Sequence, residues 1–178
     1  MMHRYFLYCL ASFLALVFSG CKTDQRTELF EMSYVVDFEL QAGLNTLETH
    51  FYSTPGIQSQ FQAQLDALGR PASDIVSVTP KYAELSTIFG DQDLDFMRQV
   101  FVRIYDLSDP LNVNSEIFYL DPVPPNTRKV IRPFPGLANV LSITSEPNFG
   151  VEIGISLWEV TPHSFDMRLE FELSANVD

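Results

Sequence analysis

Few side chains in this sequence are suited to chemistry, and each group permits a plain structural reading beside a functional one. After Gly90, the run Asp91-Gln92-Asp93-Leu94-Asp95 places carboxylates on alternate residues. Hard oxygen ligands at that spacing converge on Ca²⁺ in a turn. An EF-hand loop would continue with glycine at its sixth position and glutamate at its twelfth, where this chain has Phe96 and Val102. A looser calcium loop through Asp91, Asp93 and Asp95 remains, against a solvated acidic turn. His50 and His163 are the only histidines beyond the first twenty residues, and no G-x-S-x-G elbow occurs. A nucleophilic triad and a zinc site therefore lack their parts. Glu152 and Glu170 lie on the polar parities of the last two apolar runs. A carboxylate pair separated by roughly 5–10 Å can hydrolyse a glycoside, and two acids on a wet face are the alternative. Trp158 shares the minority parity of its segment with Gly154 and Ser156. Small neighbours leave a flat ring open for stacking on a sugar or a peptide side chain; alternatively the ring covers the gap left by Gly154.

The remaining reactive atom is the sulfur of Cys21. Residues 1–20 comprise a short basic start (His3, Arg4), an apolar run from Tyr5 to Phe18, and the small pair Ser19-Gly20. The run is too short for a membrane span, which needs about 20 apolar residues, and it has the layout of a secretory signal peptide. Val17-Phe18-Ser19-Gly20-Cys21 resembles the lipobox of bacterial lipoproteins, departing from it at Phe18, where leucine is usual. That resemblance implies a diacylglycerol thioether on Cys21, cleavage before it and acylation of the new amine. Two or three acyl chains would anchor the protein stably, because each buried methylene contributes about 0.8 kcal/mol and one chain alone holds only marginally. Lys22 follows the cysteine, so the Asp of the enteric inner-membrane retention signal is missing. The outer membrane is the expected site, with its periplasmic or surface face left open.

Composition narrows the remaining classes. The 178 residues are 46% hydrophobic, with 11 Lys+Arg against 23 Asp+Glu and a formal charge of −12. The apolar share is too high for a disordered chain, and a domain of this size buries roughly 70% of its unfolded surface. Nucleic acid needs a basic face, so it is not an expected partner. The negative field also repels anionic headgroups, so the folded part should stand off from the membrane that holds its lipid. The processing implied by the lipobox resemblance would remove Cys9 and cap Cys21 with lipid, leaving no thiol for a disulfide. No G-x-G-x-x-G or P-loop pattern occurs, and no cofactor is expected.

The elements that would carry these residues are strands. Met32, Tyr34, Val36, Phe38 and Leu40 alternate with Glu31, Ser33, Asp37 and Glu39, Val35 being the exception. Period-2 patterning of this kind marks a half-buried strand. Phe149 to Trp158 and Phe165 to Ser174 repeat it around the turn Thr161-Pro162-His163, which predicts two antiparallel strands joined by a short loop. Phe96 to Asp106 is apolar on both parities, as in a central strand covered along most of its length. Shorter strands are expected at Asn45–Ser53 and Glu116–Leu120, and Asp74–Val78 with Tyr82–Phe89 gives one or two more, with Pro80 breaking or bulging between them. Ile57, Phe61, Leu65 and Leu68 have helical spacing, with Thr54 and Pro55 as start signals and Gly69 as a stop. They predict one short helix near residues 56–68, and a helical turn is expected near Leu137–Leu141.

The expected protein is all-β: an antiparallel β-sandwich, immunoglobulin-like or jelly-roll-like, over residues 30–178. A lipidated tether (21–29) and a signal peptide (1–20) precede it. Its expected function is a non-catalytic binding or assembly module, attached through Cys21 lipid and meeting an envelope protein or glycan. An envelope hydrolase acting on glycan through surface carboxylates and a calcium-stabilised adhesive domain are the alternatives.

Overall fold

The strongest alternation in the sequence becomes the longest strand. In the computed structural model, which describes residues 26–89, 93–111, 114–127 and 129–178, β1 (Thr27–Leu40) buries Met32, Tyr34, Val36 and Leu40 and exposes Glu31, Ser33, Val35 and Asp37. It starts at Thr27, inside the stretch expected to be tether. The other strands are β2 (His50–Gln58), β3 (Ser77–Thr87), β4 (Met97–Tyr105), β5 (Asn114–Leu120), β6 (Val130–Ile131), β7 (Phe134–Pro135), β8 (Asn148–Leu157) and β9 (Phe165–Val177). Among the described residues, helices α1 (Phe61–Leu68) and α2 (Leu141–Thr144) and a single 3₁₀ turn (Ala72–Asp74) complete the elements. No helix among the described residues is long and apolar enough to cross a membrane.

The strands form two antiparallel sheets, one ordered β1-β9-β3-β6 and the other β2-β8-β4-β5-β7. Consecutive strands mostly switch sheets, and β4–β5 is the principal sequential pair. An immunoglobulin sandwich keeps its first two strands side by side, whereas here β1 and β2 lie in different sheets. The order is that of a jelly roll.

Apolar side chains on the inner faces fill the space between the sheets. Phe171 of β9 stacks on Tyr34 of β1 at 5.1 Å and meets Phe118 of β5 edge-on at 6.3 Å; Tyr34 meets Phe149 of β8 at 5.2 Å. Val100, Val102, Ile104, Val151, Ile153 and Ile155 complete the layer from the five-stranded side. Removing this much apolar surface from water is the dominant favourable contribution to the fold.

Three expectations are corrected. First, β8 and β9 follow one another in the chain but do not pair: β8 lies between β2 and β4, and β9 between β1 and β3. Period-2 burial states which face of a strand is inward and nothing about its neighbours, and the intervening turn crosses from one sheet to the other. Second, the helix begins at Phe61, with Gln60 as its N-cap. Thr54-Pro55-Gly56 belongs to β2, whose register shifts between Thr54 and Ile57. A proline is tolerated on such an edge strand, and Gly56 adopts the positive φ of 76° there. Gly69 does end the helix, at φ 62°. Third, the helical turn expected at Leu137–Leu141 forms four residues later, at Leu141–Thr144. Of the one or two strands expected around Pro80 there is one, β3, and the bulge expected at Pro80 is its register shift between Pro80 and Tyr82.

Candidate functional site

The outer faces of the two sheets differ in chemistry. The four-stranded sheet shows solvent a set of acids that includes Asp37, Glu39, Glu84, Glu170 and Glu172. Arg168 spans to Asp37 with two bonds of 2.8 Å, and this hydrogen-bonded contact holds the Asp37 carboxyl below its usual range. The five-stranded sheet instead carries aromatic rings.

Those rings form a row perpendicular to the strands. Register aligns Phe51 of β2 with Gly154 of β8, Gly154 with Phe101 of β4, Phe101 with Tyr119 of β5, and Tyr119 with Phe134 of β7. Four of the five stations are aromatic, and the fifth lacks a side chain for a steric reason. A Cβ on Gly154 would lie 2.1 Å from Cζ of Phe101, far inside van der Waals contact with its ring. The Phe101 ring therefore lies over the β8 backbone, where it is only 6% exposed. The Phe51 ring meets it edge-on at 5.9 Å, and the Arg103 guanidinium covers it at 4.5 Å. Four residues along both strands, the same fit recurs: a Cβ on Gly150 would lie 2.0 Å from Cζ of Tyr105. The rings left facing solvent are Phe51 (53% exposed), Tyr119 (39%) and Phe134 (69%).

Polar side chains flank the row on both sides. On one side Thr49 and Ser156 share a 2.9 Å hydrogen bond, Ser156 donates to Gln99 at 3.3 Å, Gln99 donates to the Tyr119 hydroxyl at 3.5 Å, and that hydroxyl donates to Asp121 at 3.2 Å. On the other side Ser53, Glu152, Arg103 and Glu116 stand in register, with Arg103 and Glu152 3.5 Å apart. A shallow depression of about 290 Å³ opens beside this pair, lined by Ser53, Arg103, Tyr105, Pro110, Leu111 and Glu152. Burial and then the Glu152 charge raise the Tyr105 phenol; desolvation and the bond to Asp121 raise that of Tyr119. Both hydroxyls are thus protonated near neutral pH, and that of Tyr119 is already donated to Asp121.

The residues singled out from sequence are placed as follows. Trp158 is 56% exposed just beyond β8, with its backbone N–H bonded to the Phe96 carbonyl at 2.7 Å and the Arg98 guanidinium 5.7 Å from its ring. Phe101, not Trp158, fills the space over Gly154. Glu152 and Glu170 are on opposite sheets, facing outward in opposite directions, so they are not a catalytic pair; the depression holds one carboxylate, Glu152, engaged by Arg103. Asp93 and Asp95 are exposed. Cys21, its lipobox and Asp91 lie outside the described residues. Among the described residues no three His, Cys, Asp or Glu side chains stand together as a metal cluster. His163 packs its ring on Phe165 at 4.3 Å, and His50 Nε2 bonds the Asn45 carbonyl at 2.8 Å.

Sequence reading missed the ring row. The available signal was a matched spacing: Phe101 and Tyr105 are four apart on β4, and Gly150 and Gly154 are four apart on β8. Large residues on one strand facing glycines on its neighbour are a signature of rings lying flat on backbone. That signal becomes readable only when β4 and β8 are known to pair.

No family model matches this chain, and no curated protein matches it. Among solved structures it is similar to the VP2 subviral particle of infectious bursal disease virus, with 12% identity, a TM-score of 0.40, and coverage of 88% of this chain and 37% of that one. It is also similar to the empty head of turnip yellow mosaic virus, with 9% identity, a TM-score of 0.26, and coverage of 89% and 88%. This chain spans little more than a third of the length of the VP2 chain. At these identities and scores nothing about those proteins' assembly or partners transfers to it.

Proposed function

We propose that this protein is a lipid-anchored, non-catalytic binding module of the bacterial cell envelope, presenting the outer face of its five-stranded sheet to its ligand. The observation that carries the binding part is the ring row. Phe51, Tyr119 and Phe134 expose large aromatic area along one row, Tyr119 beside Phe134 and Phe51 three strands away, on a face that also carries Gln99, Arg103, Glu152 and Ser156. Exposed apolar groups gathered in one place on a soluble surface mark an interaction site far more often than single scattered ones.

The anchoring part rests on Val17-Phe18-Ser19-Gly20-Cys21, and the layout of the fold is compatible with it. β1 enters the sandwich a few residues after Cys21, at the end where Thr27 pairs with Val177. The loops bearing Asp93, Asp95 and Trp158 are at the other end, about 45 Å away along β1 by strand rise. A lipid on Cys21 would therefore hold one end of the sandwich near the bilayer and leave the sheet faces and far loops accessible. The outer membrane is the proposed location, since Lys22 does not provide the inner-membrane signal.

Labelled palmitate fed to bacteria expressing the full chain tests the anchor. Incorporation that disappears in Cys21→Ser, with the variant left unprocessed or soluble, is the expected result. Absence of label in the parent chain, or unchanged membrane retention of the variant, overturns it.

A further inference from the structure

We propose that the ring row binds a neutral, extended polysaccharide lying across the strands from Phe51 to Phe134; this rests on the binding-module reading above and names its ligand class. The first argument is spacing. Neighbouring strands are about 4.8 Å apart, so the five stations extend over about 19 Å, with rings at multiples of one strand spacing. An extended β-linked hexose chain advances by a similar distance per unit, so one chain can set a sugar at Phe51 and others at Tyr119 and Phe134 while passing over Gly154 and the buried Phe101 ring between them.

The second argument is chemical match. A pyranose has an apolar face of C–H groups and a rim of hydroxyls. Aromatic faces take the former by stacking, and planar polar side chains take the latter. Here the row of rings has both: Gln99, the Tyr119 hydroxyl and Asp121 on one side, Arg103, Glu152 and Glu116 on the other. Tyr119 belongs to both systems, with its ring in the row and its hydroxyl in the polar chain. A protein partner wants a wider dry centre with polar groups confined to its rim, and this face alternates polar and aromatic stations only one residue pair wide.

The third argument is charge. Among the described residues of the strip, the cation beside the acids Glu116, Glu152 and Asp121 is Arg103, which is already engaged by Glu152 and by the Phe101 ring. A polyanionic chain would be repelled, and an uncharged one is not.

Affinity electrophoresis of the full, detergent-extracted chain through gels holding mixed-linkage β-glucan, xyloglucan or hydroxyethyl cellulose tests the proposal, with polygalacturonate as the anionic control. At least one neutral polymer should retard the parent. Phe51→Ala and Phe134→Ala should each weaken that retardation at least tenfold, whereas Val35→Ala, on the opposite sheet, should leave it unchanged; all three carry exposed side chains, and unchanged melting curves will show that the fold persists. No retardation by any neutral polymer, equal retardation by polygalacturonate, or retardation indifferent to ring removal overturns the proposal. A photo-reactive phenylalanine analogue at position 134 in intact cells separates the two readings. A protein adduct without glycan retardation refutes the glycan and leaves a binding module standing. Neither adduct nor retardation removes both.

Discussion

Gly154→Ala is the sharpest probe of the floor on which the ring row is built. Its new Cβ would meet three ring carbons of Phe101, at 2.1, 2.4 and 2.6 Å, where carbon–carbon contacts settle at about 3.5–4.0 Å. Gly154 is not among the glycines with positive φ, so alanine suits its backbone and only the ring opposes the change. Phe101 must retreat by more than an ångström, losing its bed on β8 and disturbing its contacts with Phe51 and Arg103. Overpacking of this kind costs about 1–3 kcal/mol. With Phe101 already replaced by alanine the obstacle is gone, and alanine in a strand is better than glycine by about 0.5–1 kcal/mol. The effect of Gly154→Ala should therefore change sign between the two backgrounds, a coupling of about 2 kcal/mol in a double-mutant cycle. Equilibrium urea denaturation of the four proteins measures it, provided the slopes agree. A Gly154→Ala protein as stable as its parent, or equal effects in both backgrounds, would show that Phe101 does not rest on β8.

Other expectations follow from the same geometry. Phe171→Ala removes a fully buried ring that touches both Tyr34 and Phe118 and should cost about 3–5 kcal/mol in urea denaturation, while exposed Val35→Ala stays within about 0.5 kcal/mol. Gly69→Ala forces a side chain onto φ 62° at the end of α1 and should destabilise by about 1 kcal/mol; an unchanged midpoint would refute the left-handed cap. The Asp37–Arg168 contact sets a pH dependence. Because the hydrogen bond from Arg168 lowers the folded-state value of Asp37 below 3.8, its contribution is fully present above about pH 4 and disappears as pH falls through that lowered value. Asp37→Asn should therefore flatten part of the acid limb of a Tm-against-pH curve and leave the limb above pH 6 unchanged; identical acid limbs would dismiss the pairing.

The sequence carried the burial pattern well. Alternation over Met32–Leu40 is found in β1 residue for residue, with Val35 outward as the pattern required. The same holds for Val151, Ile153 and Ile155 in β8 and for Met167, Leu169 and Phe171 in β9. The stop signal at Gly69 held because only glycine takes a left-handed cap without strain. The start signals Thr54 and Pro55 failed because the same residues serve an edge-strand bulge, and local chemistry does not distinguish the two.

Strand class, burial face and an all-β sandwich were thus determined by the sequence alone, because side-chain period and hydrophobicity act within a few residues of each position. Partnership was decided only by the tertiary structure. That β8 lies against β2 and β4 and not against β9, that Glu152 and Glu170 face away from each other, and that Phe51, Phe101, Tyr119 and Phe134 share one row all depend on long-range register. Register is set by how two whole sheets share their core, and no local pattern encodes it.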